Sequence, residues 1–115
     1  MRKRETNKIN KKAKKFKLWL EFKIWEPKAD DDIENDFFNM QIELDTGETY
    51  ALNVWTFKYL QTALEEQKQE RGVLGTKYMV TPDLLVEKMD RDLLIEIVND
   101  LIINNELKEE WIIPD

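Results

Sequence analysis

The chain reads as an α+β domain, an antiparallel sheet of three to four strands packed against two helices, preceded by a flexible basic N-terminal arm. Three observations predict this. From Phe16 onward the apolar residues recur at every second position, the period of a half-buried strand. A tight turn at Asp45-Thr46-Gly47-Glu48 joins two such runs, with Gly47 able to supply the positive φ that hairpins need. After Thr56 the apolar spacing changes to the helical one, and it does so again after Asp92.

Each element has its own signal. Phe16, Leu18, Leu20, Phe22 and Ile24 share one strand face, and Lys17, Trp19, Glu21, Lys23 and Trp25 share the other. Pro27 ends that strand, and an acidic loop follows. Phe38, Met40, Ile42 and Leu44 mark a second strand, and Tyr50, Leu52 and Val54 continue a third on the same face. Thr56 can cap a helix from Phe57 to about Arg71, with Phe57, Leu60 and Leu64 as its apolar stripe and Ala63 beside it. Gly72 suits the left-handed position that closes a helix, and Gly75 is expected to keep the next loop mobile. Tyr78 to Val80 reads as a short strand broken by Pro82-Asp83, and Leu84 to Val86 fits either strand or helix. Asp90 or Asp92 caps a second helix running to about Asn104. Leu94, Ile97, Val98, Leu101 and Ile102 form a broad apolar face, and Leu93 and Ile95 flank it, which predicts a well-buried helix. Leu107, Trp111, Ile112 and Ile113 form a tail expected to dock on the body.

Charge divides the chain. Residues 1–15 hold eight basic residues and one acidic, a net +7, while the whole chain is −6, which leaves −13 on residues 16–115. The reading is therefore two parts, a basic flexible arm (1–15) and one α+β domain (16–115). Charge of this size selects and steers partners without specifying a fold.

Composition excludes several chemistries. There is no cysteine and no histidine among 115 residues, so disulfides, thiolate chemistry and Cys/His zinc sites are ruled out. The usual general base near neutral pH is also missing. No run of about 18 apolar residues could span a bilayer. Lys17, Glu21 and Lys23 interrupt the apolar segment that a signal peptide would need after its basic start. The expected location is cytoplasmic. The abundance of Lys, Asn and Ile points to an AT-rich bacterial or phage gene.

Candidate sites follow from what remains. Asp30, Asp31, Asp32, Glu34 and Asp36 crowd one loop. Asp30, Asp32 and Glu34 imitate the first ligand positions of an EF-hand. Asn35 then stands where that loop needs glycine, and Gln41 where it needs a bidentate Glu. The cluster reads as a solvated acidic loop or a patch for a basic partner, and no metal or cofactor is assigned. Glu65, Glu66 and Glu70 fall on the outer face of a helix, unlike convergent glycosidase carboxylates. Asp90-Arg91-Asp92 lacks the histidine and downstream asparagine of a kinase catalytic loop. Nucleic acid is disfavoured as a partner, because the −13 body repels the phosphates that the arm would attract. Trp19, Trp25 and Trp55 lie opposite the aliphatic strand faces. They either cover the sheet's second face or form an exposed aromatic patch of the kind that anchors protein interfaces.

The stretch Phe37–Leu60 (FFNMQIELDTGETYALNVWTFKYL), followed by Tyr78–Ile103 (YMVTPDLLVEKMDRDLLIEIVNDLI), resembles small bacterial immunity proteins of polymorphic or contact-dependent toxin systems. A hairpin ending in Asn53-Val54-Trp55-Thr56 and a Pro-Asp start before a closing helix carry the likeness, over about half the chain. Such proteins share no fixed site, so the resemblance transfers no residue roles, and the basic arm is not part of its pattern. It implies a cytoplasmic, non-enzymatic inhibitor that binds one cognate toxin. The expected contact residues, read from exposure and charge, are Trp19, Trp25, Trp55, Asp30, Asp31, Asp32, Glu34 and Asp36. Two alternatives stay open. One is a phage or mobile-element inhibitor that mimics phosphate toward a nucleic-acid enzyme. The other is a structural or adaptor subunit that inserts its arm into a partner.

Overall fold

The computed structural model describes residues 15–22 and 32–114. Four strands are described, β1 (Phe16–Leu20), β2 (Phe37–Leu44), β3 (Thr49–Thr56) and β4 (Leu84–Val86). Helix α1 (Phe57–Arg71) and a 3₁₀ turn (Gly72–Thr76) link β3 to β4, and helix α2 (Arg91–Ile103) and a second 3₁₀ turn (Glu109–Trp111) follow. The class is α+β, as the sequence predicts.

The strands form one sheet in the order β1-β2-β3-β4. β1, β2 and β3 are mutually antiparallel, whereas β4 runs parallel to β3. The sheet is thus mixed rather than wholly antiparallel. The physical reason is the α1 crossover, which returns the chain to the level of Asn53 and Val54, so β4 runs the same way beside the last three residues of β3. Pairing with β4 begins only after Pro82, which has no N–H to offer a ladder. The strand expected at Tyr78 to Val80 is absent from the structure. Tyr78 is 48% and Val80 79% exposed, with Met79 half-buried between them.

Side chains end the ladders at three places. Glu21 N–H donates to the Asn39 carbonyl at 3.1 Å. The return bond from Asn39 N–H goes to the Glu21 carboxylate at 2.9 Å, not to a backbone carbonyl. Asp83 does the same for Asn53 N–H at 2.8 Å, and the Thr56 hydroxyl does so for Asp36 N–H at 3.1 Å. Each substitution satisfies the last amide and lets the chain leave the sheet. This is why β1 stops at Leu20. Phe22 is still buried, its ring edge-on to Phe38 at 5.1 Å. The expected continuation through Ile24 and Trp25 lies outside the described residues.

The core occupies one face of the sheet. Phe38, Met40 and Ile42 of β2 and Leu52 and Val54 of β3 point inward, and α2 covers them with Leu94 and Val98. Asp90 caps α2, its carboxylate accepting from Leu93 N–H at 2.9 Å. Ile95, expected to flank a well-buried helix, is 37% exposed, so α2 is buried on one side only. The tail docks as expected. Trp111 is buried, Ile112 bridges Tyr50, and Ile113 N–H donates to the Thr49 carbonyl at 2.8 Å.

Helix α1 behaves differently. Its ends are those predicted, with the Thr56 hydroxyl accepting from Tyr59 N–H at 3.1 Å and Gly72 at φ 63°. Yet none of its side chains is buried. The stripe expected to face the core leaves Phe57 56% and Leu64 40% exposed. Among the described residues α2 and the docked tail cover the inner face, and α1 meets the sheet through its first turn. Among the described residues no helix is long and apolar enough to cross a membrane.

Candidate functional site

Among the described residues the second face of the sheet meets a helix only at one end, where Tyr59 of α1 packs on it, and the strand register arranges its side chains in rows. Lys17, Glu43 and Thr49 form one row, and Trp19, Gln41 and Ala51 the next. Asn39 and Asn53 follow, then Phe37, Trp55 and Leu85. Successive rows are about 7 Å apart, twice the strand rise. A shallow depression of about 360 Å³ opens between Trp19, Asn39, Gln41, Ala51 and Asn53.

The Asn row is tied together. Asn53 Nδ2 donates to Asn39 Oδ1 at 3.4 Å, and Asn39 Nδ2 donates to the Glu21 carboxylate at 3.4 Å. With Asp83 on the Asn53 amide, a polar band crosses the sheet between two carboxylates. It separates Trp19 from the aromatic row at the far end.

That far end is the densest feature of the open face. Phe37 and Trp55 are directly opposed across the hairpin. Tyr59, in the first turn of α1, packs on both, with ring centroids at 4.9 Å from Phe37 and 5.2 Å from Trp55. Trp55 and Tyr59 are half-buried, while Phe37 is 49% exposed. Thr56 sets this geometry. Its fully buried hydroxyl accepts from both Tyr59 N–H and Asp36 N–H, so one oxygen fixes the helix start and the residue before Phe37.

The described part of the acidic loop packs beside the aromatic trio. Asp32 accepts from Glu34 N–H at 3.1 Å, and Thr62 of α1 donates to Asn35 Oδ1 at 3.1 Å. Met89 N–H donates to the Ile33 carbonyl at 2.8 Å, which anchors the loop to the segment before α2. Lys58 lies 3.6 Å from the Asp32 carboxylate, with both groups more than half exposed, so the pair adds little stability. Burial, with Glu66 and Asp36 nearby, raises the Tyr59 hydroxyl above the ordinary tyrosine value and keeps it neutral. Among the described residues, no three carboxylates converge as metal ligands would.

The predicted site residues therefore divide. Trp55, Asp32, Glu34 and Asp36 come together around the start of α1. Trp19, 43% exposed, sits apart on β1. Trp25, Asp30 and Asp31 lie outside the described residues. Sequence reasoning missed Phe37 and Tyr59. The hairpin turn held the signal for the first, because a turn at 45–48 sets Phe37 opposite Trp55.

The class defined here is a two-layer α+β domain with one sheet face covered by a helix and the other presenting an aromatic cluster beside carboxylates. Compared with known proteins, the chain matches no family model, no curated protein and no solved structure.

Proposed function

We propose that this protein is a non-catalytic inhibitor that binds a basic protein partner through its open sheet face, and that it is a bacterial immunity protein neutralising a cognate toxin in the cytoplasm. The observation that supports this most is the Phe37–Trp55–Tyr59 cluster, in which Tyr59 packs on both other rings, Phe37 is exposed and the other two are half-buried, beside Asp32, Glu34 and Asp36. Large rigid aromatics give high contact area at low entropic cost and dominate binding energies where they are desolvated. The carboxylates next to them and the −13 body attract a cationic surface and speed its approach. If the toxin is a nuclease, the same carboxylates occupy the place of substrate phosphates.

Because Thr56 holds the amides of Tyr59 and of Asp36, the residue before Phe37, before any partner arrives, little ordering remains to oppose binding. Co-expression with a candidate basic toxin tests the reading. Growth should be rescued, and the two chains should co-elute in gel filtration. A toxin that kills equally with and without this protein, and elutes alone, removes that toxin as the partner. The same outcome across cationic toxins removes the reading.

A further inference from the structure

We propose that α1 and the 3₁₀ turn after it form a self-association surface, on which a second copy of the chain packs with α1 antiparallel about a two-fold axis near Leu64. Six of the ten strongly exposed large apolar side chains among the described residues come from one excursion, residues 57–80. They are Phe57, Leu64, Val73, Leu74, Tyr78 and Val80. Exposed apolar side chains gathered on one segment in this way mark an interaction site.

The surface is held in shape. Phe57, Leu60 and Leu64 share a helical stripe that continues through Gln67 and Arg71. Gln67 Nε2 donates to the Gly75 carbonyl at 3.1 Å and also to the Tyr78 carbonyl. Arg71 donates to the Tyr78 hydroxyl at 2.6 Å, its guanidinium 5.8 Å from that ring's centroid. Gly75, expected to loosen this loop, is instead buried where a Cβ would collide with the Gln67 carbonyl group. Val73 and Leu74 are thus presented by a braced turn, 76% and 60% exposed.

Charge identifies the occupant. Residues 57–80 carry four basic and three acidic residues, a net +1. The rest of residues 16–115 carries six basic and twenty acidic, a net −14. A basic partner is drawn to the rest of the body, whereas this nearly neutral surface is where two acidic copies meet with the least repulsion. Geometry agrees. Leu64 is the midpoint of the fifteen-residue α1, so antiparallel pairing about it is self-complementary. Over the helix length of about 22 Å, Phe57 of one copy reaches the level of Arg71 and the 3₁₀ turn of the other. The paired helix dipoles also oppose favourably. Tyr59 lies roughly 140° around the helix from Leu64, so the aromatic site stays open in the dimer.

Sedimentation equilibrium of the full chain, from micromolar to submillimolar concentration, tests this. The expected mass rises from 13.9 kDa toward twice that value. Added salt should tighten the dimer by screening the repulsion between acidic bodies, the reverse of its effect on a basic partner. Leu64→Glu should raise the dimer Kd about 100-fold or more, since two apolar contacts become facing carboxylates. Val73→Asp should act in the same direction. Both sites are exposed, so circular dichroism should stay native. A chain that is monomeric throughout overturns the proposal, as does an unchanged mass in both variants. So does a monomer whose binding of a basic protein is lost in Leu64→Glu, because the surface would then belong to that partner.

Discussion

Replacing Thr56 by Val tests how the site is built. The side chain is fully buried, and its oxygen accepts from Tyr59 N–H and Asp36 N–H, both at 3.1 Å. Valine keeps the shape and removes the acceptor. Loss of the helix cap costs about 1 kcal/mol. Leaving the Asp36 amide without its partner costs about 1–2 kcal/mol more. The expected total is roughly 2–3 kcal/mol, a large share of the ~5–15 kcal/mol typical of a domain. Urea denaturation should show a lower midpoint with an unchanged slope, and the melting temperature should fall by about 10 °C. Thr56→Ser keeps the oxygen and loses one methyl, so it should cost only about 1 kcal/mol. If the valine variant lies within about 0.5 kcal/mol of the parent, the one-oxygen account is wrong. It is equally wrong if serine proves worse than valine.

Three further outcomes are expected. Leu94→Ala opens the contact between α2 and the sheet and should lower stability by about 2–5 kcal/mol in chemical denaturation, because Leu94 is fully buried. Gly75→Ala should force the 3₁₀ turn off α1 at a cost of about 1–3 kcal/mol. Amide exchange should then speed up at Thr76 to Val80, and unchanged protection there would contradict the bracing role given to Gly75. The Tyr59 hydroxyl is raised by burial and then by Glu66 and Asp36, so between the ordinary tyrosine value and the raised one the folded chain binds more protons than the unfolded one. Stability that is full below about pH 10 should therefore be lost as pH climbs through the raised value. Tyr59→Phe should flatten that alkaline loss in a series of urea midpoints, leaving the part due to Tyr50, which burial and the carboxylates of Glu48 and Glu109 also raise.

The parts of the fold legible in the sequence are those fixed by local chemistry. Gly47 at φ 105°, the Thr56 and Asp90 caps and Gly72 at φ 63° each state a backbone requirement within a few residues, and the hairpin and both helices follow from them. Partnership between distant segments was not legible. Periodicity shows that α1 has an apolar stripe, but not that the stripe faces away from the core. Tyr78 and Val80 alternate like a strand, yet they extend the loop that Gln67 and Arg71 hold. Leu84 to Val86 became the strand because Asp83 pairs with Asn53, a contact spanning thirty positions that no local pattern records. The same limit applies to the site. Trp55 and the acidic residues from Asp32 to Asp36 could be picked out by type. Phe37 joins them only through hairpin register, and Tyr59 only through its amide's bond to the Thr56 hydroxyl, which also accepts from Asp36 N–H.

The most direct test of the central claim is the affinity of a purified cognate toxin for the native chain and for Trp55→Ala and Phe37→Ala, by calorimetry, with circular dichroism confirming the fold. If the open aromatic cluster is the binding surface, each substitution should cost about 2 kcal/mol or more, a rise in Kd of roughly 30-fold. Native affinity in both variants, with the fold intact, would contradict it.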